Sequence, residues 1–76
     1  MKEKYFAKYK IIGLNIRYYR KLKGYSQDML AEKVNKSTAF IGAIEAPNVN
    51  KGLSFDTLFD ISKELEIEPY KLLKED

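Results

Sequence analysis

The chain has no cysteine, no histidine and no tryptophan, only two prolines and four glycines, and no long run of uncharged apolar residues. Each absence removes a class of protein. Without cysteine there are no disulfides and no thiolate metal sites, which fits a reducing compartment. Without histidine the commonest general base and the commonest metal ligand are both missing. The apolar runs fall far short of the ~20 residues needed to span a bilayer, and the N-terminus lacks a signal-peptide core. The expectation is an intracellular, cytoplasmic protein with no membrane partner. Chemistry would have to come from carboxylates, Lys or Tyr, and the acids gather near the C-terminus without apolar surroundings to perturb them. No phosphate-cradling glycine loop and no metal-ligand cluster is present in the sequence. It therefore predicts no enzyme, no metal, no cofactor and no small-molecule substrate.

What is present is a 76-residue chain, 45% hydrophobic, long enough for one modest core. Its net charge of +3 is distributed unevenly. Residues 1–25 carry eight Lys or Arg against Glu3, a charge of +7; residues 26–53 are neutral; residues 54–76 carry −4. A basic N-terminal helix can face phosphate while an acidic end faces away, or the charges can simply solvate helix faces.

Helical periodicity dominates the whole chain. Tyr5, Phe6, Tyr9, Ile12, Ile16, Tyr19 and Leu22 recur at spacings of three or four, which predicts a first helix from near Glu3 to Lys23, ended by Gly24. Gly13 within it marks either a close approach of another backbone or the boundary between an N-terminal arm and the domain. Residues 1–10, MKEKYFAKYK, interleave lysines with aromatics. Such a segment contacts nucleic acid, or it is a helical extension whose rings pack on the domain or on a second copy. We therefore divide the chain into an extension, 1–10, and a domain, 11–76.

Ser26 to Glu45, SQDMLAEKVNKSTAFIGAIE, reads as two short helices and a tight turn. Ser26 caps the first, with Met29, Leu30, Ala31 and Val34 in helical register; Asn35 and Lys36 break the pattern. Ser37 caps the second, whose apolar stripe is Phe40, Ile41 and Ile44, until Pro47 stops it. Two helices this short with so brief a turn cross steeply, as in a helix-turn-helix. After the loop APNVNKGLS, Ser54 caps a fourth helix with Asp56 in its first turn, and Pro69 begins a short fifth. Strand signals are missing, so the fold class is all-α, a five-helix bundle. The expected core is Ile12, Ile16, Tyr19, Tyr25, Leu30, Ala31, Val34, Ile41, Ile44, Phe55, Leu58, Ile61, Leu65, Ile67 and Leu73.

Three stretches together resemble the Cro and phage-repressor type of helix-turn-helix regulator, the XRE family. They are IGLNIRYYRKLKGYSQDMLAEKV, the spacing of Ser37, Ile41, Ile44 and Glu45, and LSFDTLFDISKELEIEPYKLL. The resemblance covers roughly residues 11–73 and implies a compact lambda-repressor-like DNA-binding domain with the helix-turn-helix as helices two and three. It also implies transcriptional regulation through sequence-specific binding of double-stranded DNA, as a homodimer on a two-fold-related site. On this pattern Thr38, Ala39, Gly42 and Ala43 face bases. Arg17, Gln27, Ser37, Asn48, Asn50 and Lys51 contact the DNA backbone, with Lys21 and Lys23 near the same helix end. Arg20 pairs with Glu45, and a carboxylate at a helix C-terminus is unfavourable without such a cation.

Three features depart from the family pattern. Ala46 and Pro47 follow Glu45 where family members often carry a glycine, and Lys36 replaces an apolar residue before the Ser37 cap. The third helix also lacks Arg, Asn and Gln, the usual base readers, so it reads methyl groups and DNA shape, or it is a packing surface for another protein. A helix-turn-helix used as a protein-interaction module is thus the alternative function. The expected dimer seam uses Tyr5, Phe6, Tyr70 and Leu72.

Overall fold

The computed structural model describes residues 3–75, which form a 3-10 turn at Glu3–Tyr5 followed by five α-helices. These are α1 (Phe6–Leu22), α2 (Gln27–Lys33), α3 (Thr38–Glu45), α4 (Phe55–Glu64) and α5 (Tyr70–Leu73). Among the described residues there is no strand. The first helix therefore starts as a 3-10 turn rather than as the α-helix expected from Glu3.

The same local devices start and stop several of these helices. Ser26, Ser37 and Ser54 sit in extended backbone, and each Oγ accepts the N–H three residues on, from Met29, Phe40 and Thr57. Each such cap stabilises its helix by about 1 kcal/mol. At the other ends, Gly24, Asn35 and Glu66 take left-handed backbone with φ of 77°, 58° and 57°. There the N–H of Tyr25 reaches the carbonyl of Arg20 at 3.1 Å, that of Lys36 reaches Ala31 at 2.9 Å and that of Ile67 reaches Ser62 at 3.0 Å. These bonds satisfy carbonyls that a helix end leaves unpaired.

Glycine and asparagine suit that conformation, whereas Glu66 enters it against a steric penalty. Its carboxylate meets the Lys23 ammonium. That hydrogen bond, and then the charge itself, hold the Glu66 carboxyl below its ordinary 4.5 and the Lys23 ammonium above its ordinary 10.5. The pair's small, solvent-screened stabilisation is complete between those values. It fades as pH falls from 4.5 through the lowered Glu66 value or rises from 10.5 through the raised Lys23 value.

Ile16, Leu30, Ala31, Val34, Ile41, Ile44, Leu58, Ile61, Leu65 and Leu72 make the core, edged by Ile12, Tyr19, Tyr25, Phe40, Leu53 and Ile67. Two residues expected there lie outside it: Phe55 is 70% exposed and Leu73 48% exposed. The inward stripe of α4 is Thr57, Leu58, Ile61, Ser62 and Leu65; Phe55 and Phe59 lie beside it and stack on each other at 6.0 Å. In α5 a single turn gives no period by which Leu72 and Leu73 can be told apart. Leu72 takes the buried place, which removes it from any dimer seam.

Among the contacts that lock α1 to the rest are those made by Lys10, Gly13 and Asn15. A Cβ on Gly13 would overlap the carbonyl oxygen of Ile44, so α1 and α3 touch backbone to backbone at that point. The close approach foreseen as one reading of Gly13 is what the packing uses. Asn15 Nδ2 donates to the carbonyls of Leu72 and Lys74, each at 2.9 Å, and holds the end of α5. Lys10 Nζ donates to the carbonyl of Ala46 at the C-cap of α3. Pro47 denies α3 the left-handed ending that closes α1, α2 and α4, and a cation from α1 answers the carbonyl instead.

Candidate nucleic-acid interface

Helix α3 turns Ile41, Ile44 and Glu45 inward. Advancing about 100° per residue, that leaves Ala39 and Ala43 at the middle of its outer face, with Thr38 and Gly42 towards one flank and Phe40 towards the other. Thr38 and Ala39 are exposed, Gly42 and Ala43 half-buried. The outer surface is thus a strip of small side chains with little polarity of its own.

The end of α3 is fixed by one buried network. Arg20 Nε donates to Glu45 Oε2 at 2.8 Å and Arg20 Nη2 to Glu45 Oε1 at 2.9 Å, while Arg20 Nη1 donates to the Tyr25 carbonyl at 2.7 Å. Gln27 Nε2 adds a third donor to the carboxylate at 3.1 Å. Arg20 and Glu45 are 6% and 4% exposed, and no buried side-chain polar atom among the described residues lacks a partner. One ion pair therefore ties α1, the start of α2 and the end of α3 together. Gln27, expected at the DNA backbone, has part of its amide engaged in this network.

Cations lie on both flanks of the strip. Arg17 and Lys21 from α1 line one groove with Gln27, Gly42 and Pro47. On the other side the Phe40 ring carries two lysines, Lys36 at 5.5 Å and Lys51 at 5.4 Å from its centre. Each cation sits over the ring's negative face, which orders it without neutralising it. Asn48 and Asn50 are exposed in the loop after α3, and the Ser37 Oγ is occupied as an acceptor by its helix cap. Thr38 Oγ1 donates to Asp28 Oδ1 across the two helix starts.

Neither the Phe40 platform for Lys51 nor the Lys10 contact with Ala46 is legible in the sequence. Both join residues distant in the chain. The one available signal was negative: with Pro47 following Ala46, the end of α3 needed a donor from elsewhere.

Gly42 differs from Gly13 in what surrounds it. A Cβ there would meet only Gln27 Oε1, at an ordinary 3.5 Å. Gly42→Ala is therefore expected to raise stability by about 0.5–1 kcal/mol through helix propensity alone, read as a higher midpoint in urea denaturation.

A capped pair of short helices, with the outer face of the second left open between flanking cations, is the arrangement of a helix-turn-helix protein. The sequence pattern of the helix-turn-helix family matches residues 16–72, and the chain belongs to that family, in its Cro and phage-repressor branch. The HTH-type transcriptional regulators SinR of Bacillus subtilis (strain 168) and of Bacillus licheniformis are each 37% identical to it over 65 residues. The match takes in 86% of this chain and 58% of each relative, so the chain spans a little over half their length. Among solved structures, SinR, the master regulator for biofilm formation, in complex with DNA, superposes with a TM-score of 0.75 at 36% identity, over 83% of this chain and 98% of that one. The restriction-modification controller protein C.AhdI from Aeromonas hydrophila gives a TM-score of 0.81 at 26% identity, over 90% and 96%.

Proposed function

We propose that this chain is a sequence-specific double-stranded DNA-binding domain of a transcriptional regulator. Helix α3 enters the major groove, while the start of α2 and the loop after α3 lie on phosphates. The observation that carries this reading is the placement of Arg17 and Lys21 on one side of the α3 face and Lys36 and Lys51 on the other. A duplex presents phosphate rows on either side of its groove, and paired cationic flanks meet both. The likeness to SinR, solved in complex with DNA, supports DNA as the ligand. Nothing in this function calls for chemistry. Among the described residues no group of three His, Cys, Asp or Glu is arranged to hold a metal, and no helix is long and apolar enough to cross a membrane.

Base contact falls to Thr38, Ala39, Gly42 and Ala43, and backbone contact to Arg17, Gln27, Ser37, Asn48, Asn50 and Lys51, with residues 11–76 as the binding domain and 1–10 as its extension. The alanines suit thymine methyl groups. Work as a homodimer fits the exposed apolar surface away from α3. Tyr5, Phe55 and Leu73 surround a cleft of about 280 Å³ that also takes in Lys8, and Phe59 extends the patch. Selection of bound duplexes from a random library tests binding and symmetry together. The expected product is a two-fold-related site with half-sites one helical turn apart, or a multiple of it. A library that returns no enriched sequence would count against specific readout, and a single asymmetric half-site against the dimer.

A further inference from the structure

Thr38 opens α3, Asp28 stands in the first turn of α2, and the Thr38 hydroxyl donates its hydrogen to Asp28 Oδ1. Both side chains are exposed, and they line a shared groove with Lys36 and Ser37. The bond is not needed to start either helix, because Ser26 and Ser37 already cap them. A carboxylate here also opposes phosphate binding, so a helix pair serving only non-specific attraction gains nothing from it.

The chemistry of the pair is one-sided. A threonine hydroxyl has one hydrogen and two acceptor lone pairs. With that hydrogen on Asp28, Thr38 Oγ1 presents acceptors alone, and the ionised carboxylate beside it also only accepts. A free threonine could serve either a donor or an acceptor on a base edge; this one serves donors.

We propose that Asp28 and Thr38 form a composite acceptor that selects cytosine, through its N4 amino group, at the base pair under the start of α3. The proposal rests on the reading of α3 as the groove helix. In the major groove guanine shows two acceptors, and thymine an acceptor and a methyl group, so both set oxygen lone pairs against oxygen lone pairs. Adenine offers an amino group, but its N7 acceptor sits alongside, facing the second oxygen of the pair. Cytosine offers its amino donor with C5–H, not an acceptor, beside it on its own ring, and guanine O6 lies on the far side across the pair. Asp28 selects by holding the Thr38 hydrogen as well as by its own charge.

The test is library selection with the wild type, Asp28→Asn, Thr38→Val and Thr38→Ser, followed by anisotropy titration on duplexes that differ only at the selected pair. The wild type is expected to enrich cytosine at one fixed position in each half-site, and to lose about tenfold or more in affinity when guanine or thymine replaces it. Asp28→Asn, whose amide can donate as well as accept, should lose that preference while binding random duplex more tightly, because a charge that repels phosphate is gone. Thr38→Val, which keeps the Asp28 carboxylate, should weaken the preference without the gain, and Thr38→Ser should keep it. Both positions are exposed, so all three variants are expected to melt with the wild type. Wild-type sites without cytosine there, or an unchanged preference in Asp28→Asn and Thr38→Val, would overturn the assignment while leaving DNA binding intact. Absence of any duplex binding at low salt would overturn it together with the reading on which it rests.

Discussion

Replacing Gly13 by alanine is expected to lower the stability of this domain by about 3 kcal/mol, although alanine favours a helix interior over glycine by ~1 kcal/mol. The two effects oppose each other, and packing wins because of what stands in the way. The added Cβ meets the Ile44 carbonyl, a backbone group within α3, and not the movable end of a side chain. Either α1 and α3 separate along their contact or the last turn of α3 distorts, and both changes disturb the Ile16, Ile41 and Ile44 packing on either side. A chain of 76 residues has roughly 4–11 kcal/mol of stability in total, so the loss is a large fraction of it. In urea denaturation the midpoint should fall with little change in slope. A Gly13→Ala protein as stable as the wild type would show that the helices do not approach as described. Gly42→Ala, with the opposite expected sign, is the internal control.

Removal of Arg20 is the second large effect. Arg20→Ala leaves Glu45 buried, with Gln27 Nε2 as its remaining side-chain donor, and deprives the Tyr25 carbonyl of a bond. Breaking one side of a buried pair costs about 3–5 kcal/mol, mostly the penalty of the uncompensated charge. For the same reason the double replacement Arg20→Met with Glu45→Leu should recover most of the loss, since no charge is then stranded. Arg20→Lys should recover little, because an ammonium cannot supply the planar fork that reaches both carboxylate oxygens and the Tyr25 carbonyl. Thermal melts of the wild type and the three variants read these differences. An Arg20→Ala melt equal to that of the wild type would contradict the role given to the pair. DNA affinity should fall further than stability accounts for, because α3 loses the anchor that sets its angle against α1.

How far the chain could be read in advance follows from the range of each interaction. The helices were legible because their signals are local: the three serines act on amides three residues away, Gly24 and Asn35 act on the turn just completed, and the apolar spacing repeats within each helix. The five-helix arrangement followed from these. Phe55 and Leu73 were misplaced where locality fails. Phe55 lies in the first turn of α4, where the inward stripe is barely established, and α5 is too short to have a period. For the candidate interface, the residues on the outer face of α3 came from the family pattern, and the inward turn of Ile41, Ile44 and Glu45 agrees with it. The contacts on its flanks could not be read this way. That Lys51 settles over Phe40, that Lys10 reaches the end of α3 and that Asp28 meets Thr38 depend on how helices cross, which no spacing along one helix records. These contacts matter because α3 itself carries no long polar side chain outward, leaving its neighbours to supply charge and directionality.

The assignment of α3 and its cationic flanks to DNA is tested most directly by fluorescence anisotropy on a random duplex across a series of salt concentrations. Binding should be measurable at low salt and weaken steeply, with a log-log slope near −0.9 for each phosphate engaged. Arg17→Ala, or Lys51→Ala, should lower that slope by about 1. No binding at the lowest salt, or an affinity indifferent to salt, would contradict it.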